Sequence, residues 1–598
     1  MPPSLPLSSM PLALAFALYA SPALAAEGYY QTKTPYAPQQ DPATYAAPPA
    51  GFQPIYTQLV ARHGARGLSG MKNDAALYAM WQQAAAQDAL TPLGRELGPD
   101  ILALMQANVL LGYGVDGITA PGYGNLSQTG IEEHRQLAAR MLARMPALFA
   151  QVGANAASAP RQIVTIHSGV DRARDSARFF TQSLLDHAPA LAPLLYLPPA
   201  PAPYPQGRKP AVQPILQADG VNRFLLYAHK LAPQTDLVAD RANPHYATYA
   251  ASRAYQYYER TKQLHALMDA PARKPEAAAH ARHVLERLFA PAFLDQLERG
   301  ASNYADTGSY TFTSADGKLT RTMTGSGKTV IRSLNAAATK LYVLYAIAAG
   351  MRHEVQADFS RYMPAEDARY YAYVADHEDF YQKGPGTTAS AGVTWRFALA
   401  LRDDFFKEVD ALAQSDLRHA AKLRFTHAEM IIPLASAMGL QQALAPLPAS
   451  ASYSYESNPW RGQSVSPLAA NMQWDVYRND AGQLIVRLLY NEKETDFQAS
   501  CDGARTAPGS VFYDYAKLKT CYGHVAARLC CAPPRSFTSG SAWRTRRQQP
   551  SRLASAASQP SASCRNARIP GHAHGGRRTG CASSRRSCGR PSARESAR

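Results

Sequence analysis

Cysteine is absent from the first 500 residues of this 598-residue chain; all seven lie at Cys501 or later. The absence removes thiolate metal centres and cysteine nucleophiles from most of the protein. It leaves Cys501 and Cys521 as a pair able to close a disulfide in an exported chain, with two free thiols as the alternative. Long apolar runs are also lacking: beyond the first 25 residues none reaches the roughly 18 that a membrane span needs, so no span is expected. Acidic residues are scarce toward the C-terminus. From Arg528 onward the chain carries 15 Arg, no Lys and one acid, Glu595, which leaves 47 basic and 44 acidic residues before that point, +3 of the total +17. The body is close to neutral and lacks the basic footprint of a nucleic-acid binder. The tail beyond about Gly523 has no apolar periodicity and cannot bury enough surface to fold. A solvated tail, or out-of-frame reading of a GC-rich gene, accounts for it better than a basic arm for polyanions, because regular aromatic interleaving is missing.

What remains is globular in composition, 46% hydrophobic and 9% aromatic, and long enough for two or three domains with buried cores. The first 25 residues read as a secretory signal. Pro11 to Ala20 is a short apolar core and Ala23-Leu24-Ala25 a small-x-small cleavage site, although the stretch before them carries no Lys or Arg. The expected location is therefore periplasmic or secreted. A Tyr/Pro/Gln-rich leader, Glu27 to Phe52, is expected to wrap the surface before a strand at Ile55–Val60. Helices are expected after Asn73, after Thr91-Pro92 and after Ser127, and a second strand at Gln162–Ile166. Past about Leu194 a Pro/Ala-rich connector gives way to helical runs at Asn222–Leu231, Ala251–Met268, Ala278–Leu297 and Ser333–Met351, with few strand-like stretches. Phe397–Leu412 reads as an amphipathic helix returning to the core. The string Thr324 to Thr329, TGSGKT, is not a phosphate-cradling loop: Thr322 stands where a glycine is needed, and the preceding Lys318–Thr322 is too polar for a buried strand.

The chain is organised around Gln58–Lys72, QLVARHGARGLSGMK. A strand end delivers Arg62, His63 and Arg66 around Gly64. Two guanidinium forks beside one imidazole make a site for a tetrahedral oxyanion, at the strand end where open α/β sheets place ligands. A neutral imidazole there can attack phosphorus while the arginines spread the developing charge. The strand at Gln162–Ile166 likewise runs into a helix start rich in arginine, with Arg172 and Arg174 as candidates for a third phosphate ligand. Far along the chain, His427 and Glu429 stand two residues apart after another strand-like run. His427 can donate to a phosphate oxygen, and Glu429 can protonate a leaving alkoxide. Near phosphate charge and partly shielded, that carboxyl should titrate high.

These stretches resemble the histidine phosphatase family in its acid phosphatase branch, marked by R-H-G-x-R-x-P. Arg62, His63, Gly64 and Arg66 match, and Leu68 stands in place of the proline. The His427-Ala428-Glu429 triplet and Ser466–Phe497 are similar to the multiple inositol polyphosphate phosphatase, or phytase, subgroup. The likeness runs in order from about Tyr30 to Cys521. It implies a phosphohistidine formed on His63, Glu429 as proton donor, and Arg62, Arg66, Arg172 and His427 holding the scissile phosphate. Arg172 is favoured over Arg174 because the family's third arginine stands eight residues before a helix-packing Phe, here Phe180. Lys72 is a candidate rim cation for further phosphates. No metal or other cofactor is implied, since arginines supply the charge stabilisation.

The implied fold class is α/β: an open, mixed, mostly parallel sheet flanked by helices, with an inserted, mainly helical cap. The segments are 1–25 signal peptide, 26–193 and 401–523 core, 194–400 cap, and 524–598 tail. The implied function is hydrolysis of phosphomonoesters of inositol polyphosphates. The alternatives are a broad phosphatase of sugar or nucleotide monoesters and a polyanion binder without turnover. The expected partner is a small phosphate ester, with no nucleic acid and no membrane span.

Overall fold

The computed structural model describes residues 28–199, 220–390, 392–443 and 446–524. The expected signal peptide, most of the Pro/Ala-rich connector and the tail from residue 525 lie outside them. Among the described residues no helix is long and apolar enough to cross a membrane.

The fold is α/β. Eight strands make one mixed sheet: β1 (Gln53–Arg62), β2 (Gln162–His167), β3 (Leu195–Tyr196), β4 (His419–Thr426), β5 (Asn471–Arg478), β6 (Leu484–Tyr490), β7 (Lys493–Glu494) and β8 (Phe512–Asp514). Their order is β7-β6-β5-β1-β4-β2-β3, with β8 also beside β6. The half holding β1, β4, β2 and β3 is parallel, and β5 to β8 add an antiparallel wing. The register pairs Arg62 of β1 with Thr426 of β4, and His167 of β2 with Phe425. The parallel strands thus end together, and the segments that follow them emerge side by side.

Helices cover both faces, so strand residues of either parity are buried. Tyr56 and Val60 of β1 pack with Met472, Trp474 and Val476 of β5 on one face. Leu59 and Ala61 pack on the other with Leu423 and Phe425 of β4. That second face is closed by α3 (Gln128–Arg144) and α4 (Asp171–His187), through Leu137, Met141, Phe180 and Leu184. The first is closed by α6 (Leu399–Ala413) and α7 (Ala428–Ala437). There Lys422 and Arg424, which would otherwise be buried cations, find Asp404 of α6 at 2.9 and 2.6 Å. Cys501 and Cys521 form a disulfide.

Apolar packing cuts across the segment boundaries at 193 and 400. Residues of α1 (Asn73–Ala86) and α2 (Pro92–Leu110) share a core with the helices over 275–298, 334–348 and α5 (Ala365–Gln382). Several expected helices prove to be broken. The first is only Arg223–Leu226 and a turn at 228–230. Thr261 caps a new helix and divides Tyr246–Tyr258 from Lys262–Met268. Pro291 starts a new helix after Pro275–Glu286. A hairpin of Ser309–Thr313 and Thr320–Thr324 interrupts the helical run. The TGSGKT turn closes on the buried Asp306: Gly327 N–H donates to its backbone carbonyl, and Ser326 Oγ and Thr329 N–H donate to its side chain. The turn cradles a carboxylate, and Lys328 is exposed. The leader does more than wrap the surface, since Gln31 and Thr32 are buried against the end of β1.

Candidate active site

The site forms where β1, β4 and β2 end. His63 follows β1, and its backbone N–H donates to Thr426 O at 2.9 Å, tying it to the end of β4. Gly64 is needed for close approach: a Cβ there would stand 2.4 Å from Gly130 O, and one on Gly130 would stand 2.1 Å from Ala65 O. Leu68 holds a place no proline could fill in the same way. Its backbone N–H donates to Asn108 Oδ1 at 2.7 Å, and proline has no N–H. Glu133 of α3 accepts from Ala65 N–H at 2.6 Å and from Tyr36 N–H at 2.8 Å, clamping the loop from below. Burial pushes this carboxyl up to about 7.

His63 is 2% exposed. Its Nδ1–H donates to its neighbour's carbonyl, Gly64 O, at 2.9 Å, which fixes the tautomer and leaves Nε2 with the lone pair. Burial, then the positive charges of Arg172 and Arg62, hold the ring well below the usual histidine range. It therefore stays neutral in mildly acidic solution. The His427 ring lies 5.4 Å from it, edge-on. His427 stands at the residue preceding α7 and shares a 2.8 Å hydrogen bond between Nε2 and Ser168 Oγ, just past β2. Its Nδ1 is buried without a partner.

Arg62 is anchored by Nη1 on the carbonyls of Thr32, Ser466 and Pro467, at 2.5, 2.6 and 3.1 Å. Arg66 donates to Gly67 O at 2.6 Å. Arg172, in the first turn of α4, completes the cationic ring. The Nε–H groups of all three are buried and unpartnered. Burial and then, for Arg62, incomplete compensation by Glu429 and Asp379 leave it at about 10; burial and repulsion from Arg172 and Arg62 push Arg66 down to about 9. The structure brings Arg172 into this cluster and not Arg174, which pairs with Asp171 and lies by His167. Lys72, also expected, stands exposed as the N-cap residue of α1, outside the buried cluster.

Glu429, in the first turn of α7, keeps 37% of its side chain accessible, 3.9 Å from Lys383 Nζ. Burial pushes its carboxyl up, but Lys383, His229 and His427 outweigh that and hold it well below the usual range. The expectation of a high-titrating carboxyl is therefore corrected for the protein's own groups, among which Lys383 has the largest effect.

Several neighbours carry no local sequence signal. Lys33 comes from the leader, and burial with Arg62 nearby pushes it down to about 7. Asp379 and Lys383 come from the end of α5, and Tyr227 and His229 from a turn whose rings lie 5.5 and 6.3 Å from His427. A cavity of about 410 Å³ opens beyond Arg172, lined also by Asp171, Asn125, Tyr123, Arg321 and Met323. Arg321, from the hairpin, reaches Pro121 O at 2.5 Å. Asn125, part of a glycosylation-like triplet, is buried and bonded to Ala120 O and Asp175. Among the described residues, His283, Glu366 and Asp367 have metal-ligand spacing, but Glu366 and Asp367 lie at the start of α5, at the opposite end from Lys383, and His283 reaches them from the helix Pro275–Glu286.

A parallel half-sheet that converges a neutral histidine, three arginines and a carboxyl on one point defines a phosphate-ester hydrolase of the histidine type. The comparisons agree. The chain belongs to the histidine phosphatase superfamily (branch 2), which it matches over residues 55–491. It is similar to the Bifidobacterium longum multiple inositol polyphosphate phosphatase. The structure of that protein with phosphate gives 30% identity and a TM-score of 0.70 over 84% of this chain and 99% of that one. The structure with inositol hexasulfate gives 30% and 0.68, over 83% and 97%. The phytase from D. castellii, at 12% identity and a TM-score of 0.50, shares the fold. Human multiple inositol polyphosphate phosphatase 1 is 28% identical over 141 residues, and the chain spans 28% of its length.

Proposed function

We propose that this protein hydrolyses phosphomonoesters of inositol polyphosphates, phytate among them, through a phosphohistidine. The observation that carries the reading is the convergence of His63, held neutral with Nδ1 on Gly64 O, and Glu429 on one arginine cluster. Arg62, Arg66, Arg172 and His427 hold the scissile phosphate. His63 Nε2 attacks in line and forms the P–N bond. The P–O ester bond breaks, and Glu429 delivers its proton to the departing alkoxide. Water then attacks phosphorus and gives a proton to Glu429, the P–N bond breaks, and phosphate leaves.

The cavity beyond Arg172 has the volume of a small-ligand site and is bordered by Arg321, which favours a substrate bearing several phosphates. Export to the periplasm or medium is supported by the signal-like first 25 residues and by the Cys501–Cys521 disulfide. The test is rapid-quench trapping of the enzyme turning over phosphorus-labelled phytate. The expected result is an acid-labile phosphohistidine in the parent and none in His63→Ala. Parent-level phytate hydrolysis by His63→Ala would refute the mechanism. Hydrolysis of simple monoesters with no release of phosphate from phytate would refute the substrate.

A further inference from the structure

Glu429 needs a proton to serve as donor, yet its surroundings favour the carboxylate. From α5 it faces Lys383 and Asp379. From the ends of β1 and α4 it faces Arg62, Arg66 and Arg172. From the helical layer come His229 and Tyr255, and from its own segment His427. Lys383 exerts the largest attraction among them. Its ammonium is not free to wander. Nζ sits 2.9 Å from Asp379 Oδ1, and Asp379 Oδ2 accepts from Gln31 Nε2 at 2.7 Å. Gln31 Oε1 accepts from Thr32 Oγ1 at 2.6 Å, and Thr32 O is an anchor of Arg62. The chain of bonds runs from the acid's neighbour to the phosphate-binding arginine. At 3.9 Å from Glu429 Oε1, Lys383 is close enough for strong attraction and too far for a hydrogen bond.

We infer that Lys383 is a positioning residue that couples the protonation of Glu429 to the charge of the bound phosphate. The inference rests on the reading of Glu429 as proton donor. A phosphate monoester among the arginines repels the carboxylate and competes for the ammonium's field, so binding moves Glu429 toward its acid form. Once the proton has gone to the leaving alkoxide, the new carboxylate is stabilised by Lys383 and stands ready to take a proton from water. One fixed cation thereby serves both half-reactions.

The experiment compares pH–kcat profiles of the parent, Lys383→Met, Lys383→Gln, Lys383→Arg and Glu429→Gln, each with glycerol phosphate and with p-nitrophenyl phosphate. The aryl leaving group departs with little help from an acid; the alkyl one needs it. Removing a cation raises the affinity of a carboxyl for its proton. Both limbs for glycerol phosphate should therefore move to higher pH in the Met and Gln variants, by roughly one unit or more, while Lys383→Arg keeps limbs near the parent's. Lys383→Gln retains a hydrogen-bond donor for Asp379, so a folding defect peculiar to Met does not decide the outcome. If Glu429→Gln slows glycerol phosphate selectively but both neutral variants keep the parent's limbs, the coupling is refuted and the donor stands. If Glu429→Gln leaves the alkyl-to-aryl ratio unchanged, the donor reading itself fails.

Discussion

Leu68 tests whether a departure from the family pattern is an accident or a compensated choice. Replacing it by the pattern's proline would commonly be expected to stabilise; the structure predicts the opposite. The Leu68 N–H donates to Asn108 Oδ1 at 2.7 Å, and Asn108 is fully buried, with its Nδ2 committed to Leu104 O. Proline deletes the donor and leaves a buried acceptor unpaired, a cost of about 1–3 kcal/mol. It also removes roughly one carbon from a side chain that is 5% exposed, about 0.8 kcal/mol. Restriction of the unfolded chain returns about 0.4–1 kcal/mol. The net expectation for Leu68→Pro is a loss of about 1–3 kcal/mol, read as a lower urea midpoint at unchanged slope. Asn108→Leu supplies the control, because in that background the acceptor is already gone. There the proline should cost less, by the about 1–3 kcal/mol of the unpaired oxygen. Equal cost in both backgrounds, or a stabilised single variant, would refute the account.

Three further outcomes follow from the geometry. Arg172→Ala should lower kcat/KM for phosphate monoesters by about 10²–10³, as loss of one charge-stabilising donor does, whereas Arg174→Ala, whose half-buried side chain pairs with Asp171 outside the cluster, should change it by less than about fivefold; steady-state kinetics showing the reverse order would exchange their roles. Replacing both Cys501 and Cys521 by Ala opens a loop with a separation of 20 residues and should cost about 3 kcal/mol in chemical unfolding; an unchanged midpoint would deny the disulfide a part in stability. Glu133 is pushed up from 4.5 to about 7 by burial, so the folded state binds its proton more tightly than the unfolded chain does. The stability it contributes is full below its unfolded value and is lost as pH rises through about 7. Glu133→Gln should therefore gain on the parent by up to about 3 kcal/mol between pH 4 and pH 8, and parallel stability curves for the two proteins would show that the carboxyl does not titrate in that window.

What the sequence revealed depended on how locally each feature is encoded. Arg62, His63 and Arg66 were legible because one strand end and one loop position all three within five residues. Arg172 and His427 were legible because each follows its own strand-like run, and the parallel register of β1, β4 and β2 brings the three strand ends level. The two helices that begin after Thr91 and Ser127 were equally plain, since each cap bonds to the backbone three residues on. Lys33, Asp379 and Lys383 were not legible. They reach the site through the tertiary path of the leader and of α5, and nothing in their neighbouring residues distinguishes them from solvated charges. The helical layer was read in outline and missed in detail. Thr261 and Pro291, helix-starting residues inside apolar-periodic runs, divided segments that periodicity alone had joined.

The charges explain why so much of the fold is spent on holding this site together. Arg62, Arg66, Arg172, Lys33 and Lys383 converge, and among the described residues Asp379 and Glu429 are the carboxylates that act on them most directly. Burial, and then mutual repulsion, push Lys33 to about 7 and Arg66 to about 9, so the cluster opposes folding. It persists because Arg62 is pinned on three carbonyls and Glu133 clamps the loop on two N–H groups. Buried, unpartnered Nε–H donors on three arginines are costly in a core and useful beside an oxyanion with acceptors to spare. A phosphate monoester answers the excess charge and the unpaired donors together. Its affinity thus derives largely from relief of a conflict that the surrounding sheet and helices were built to sustain.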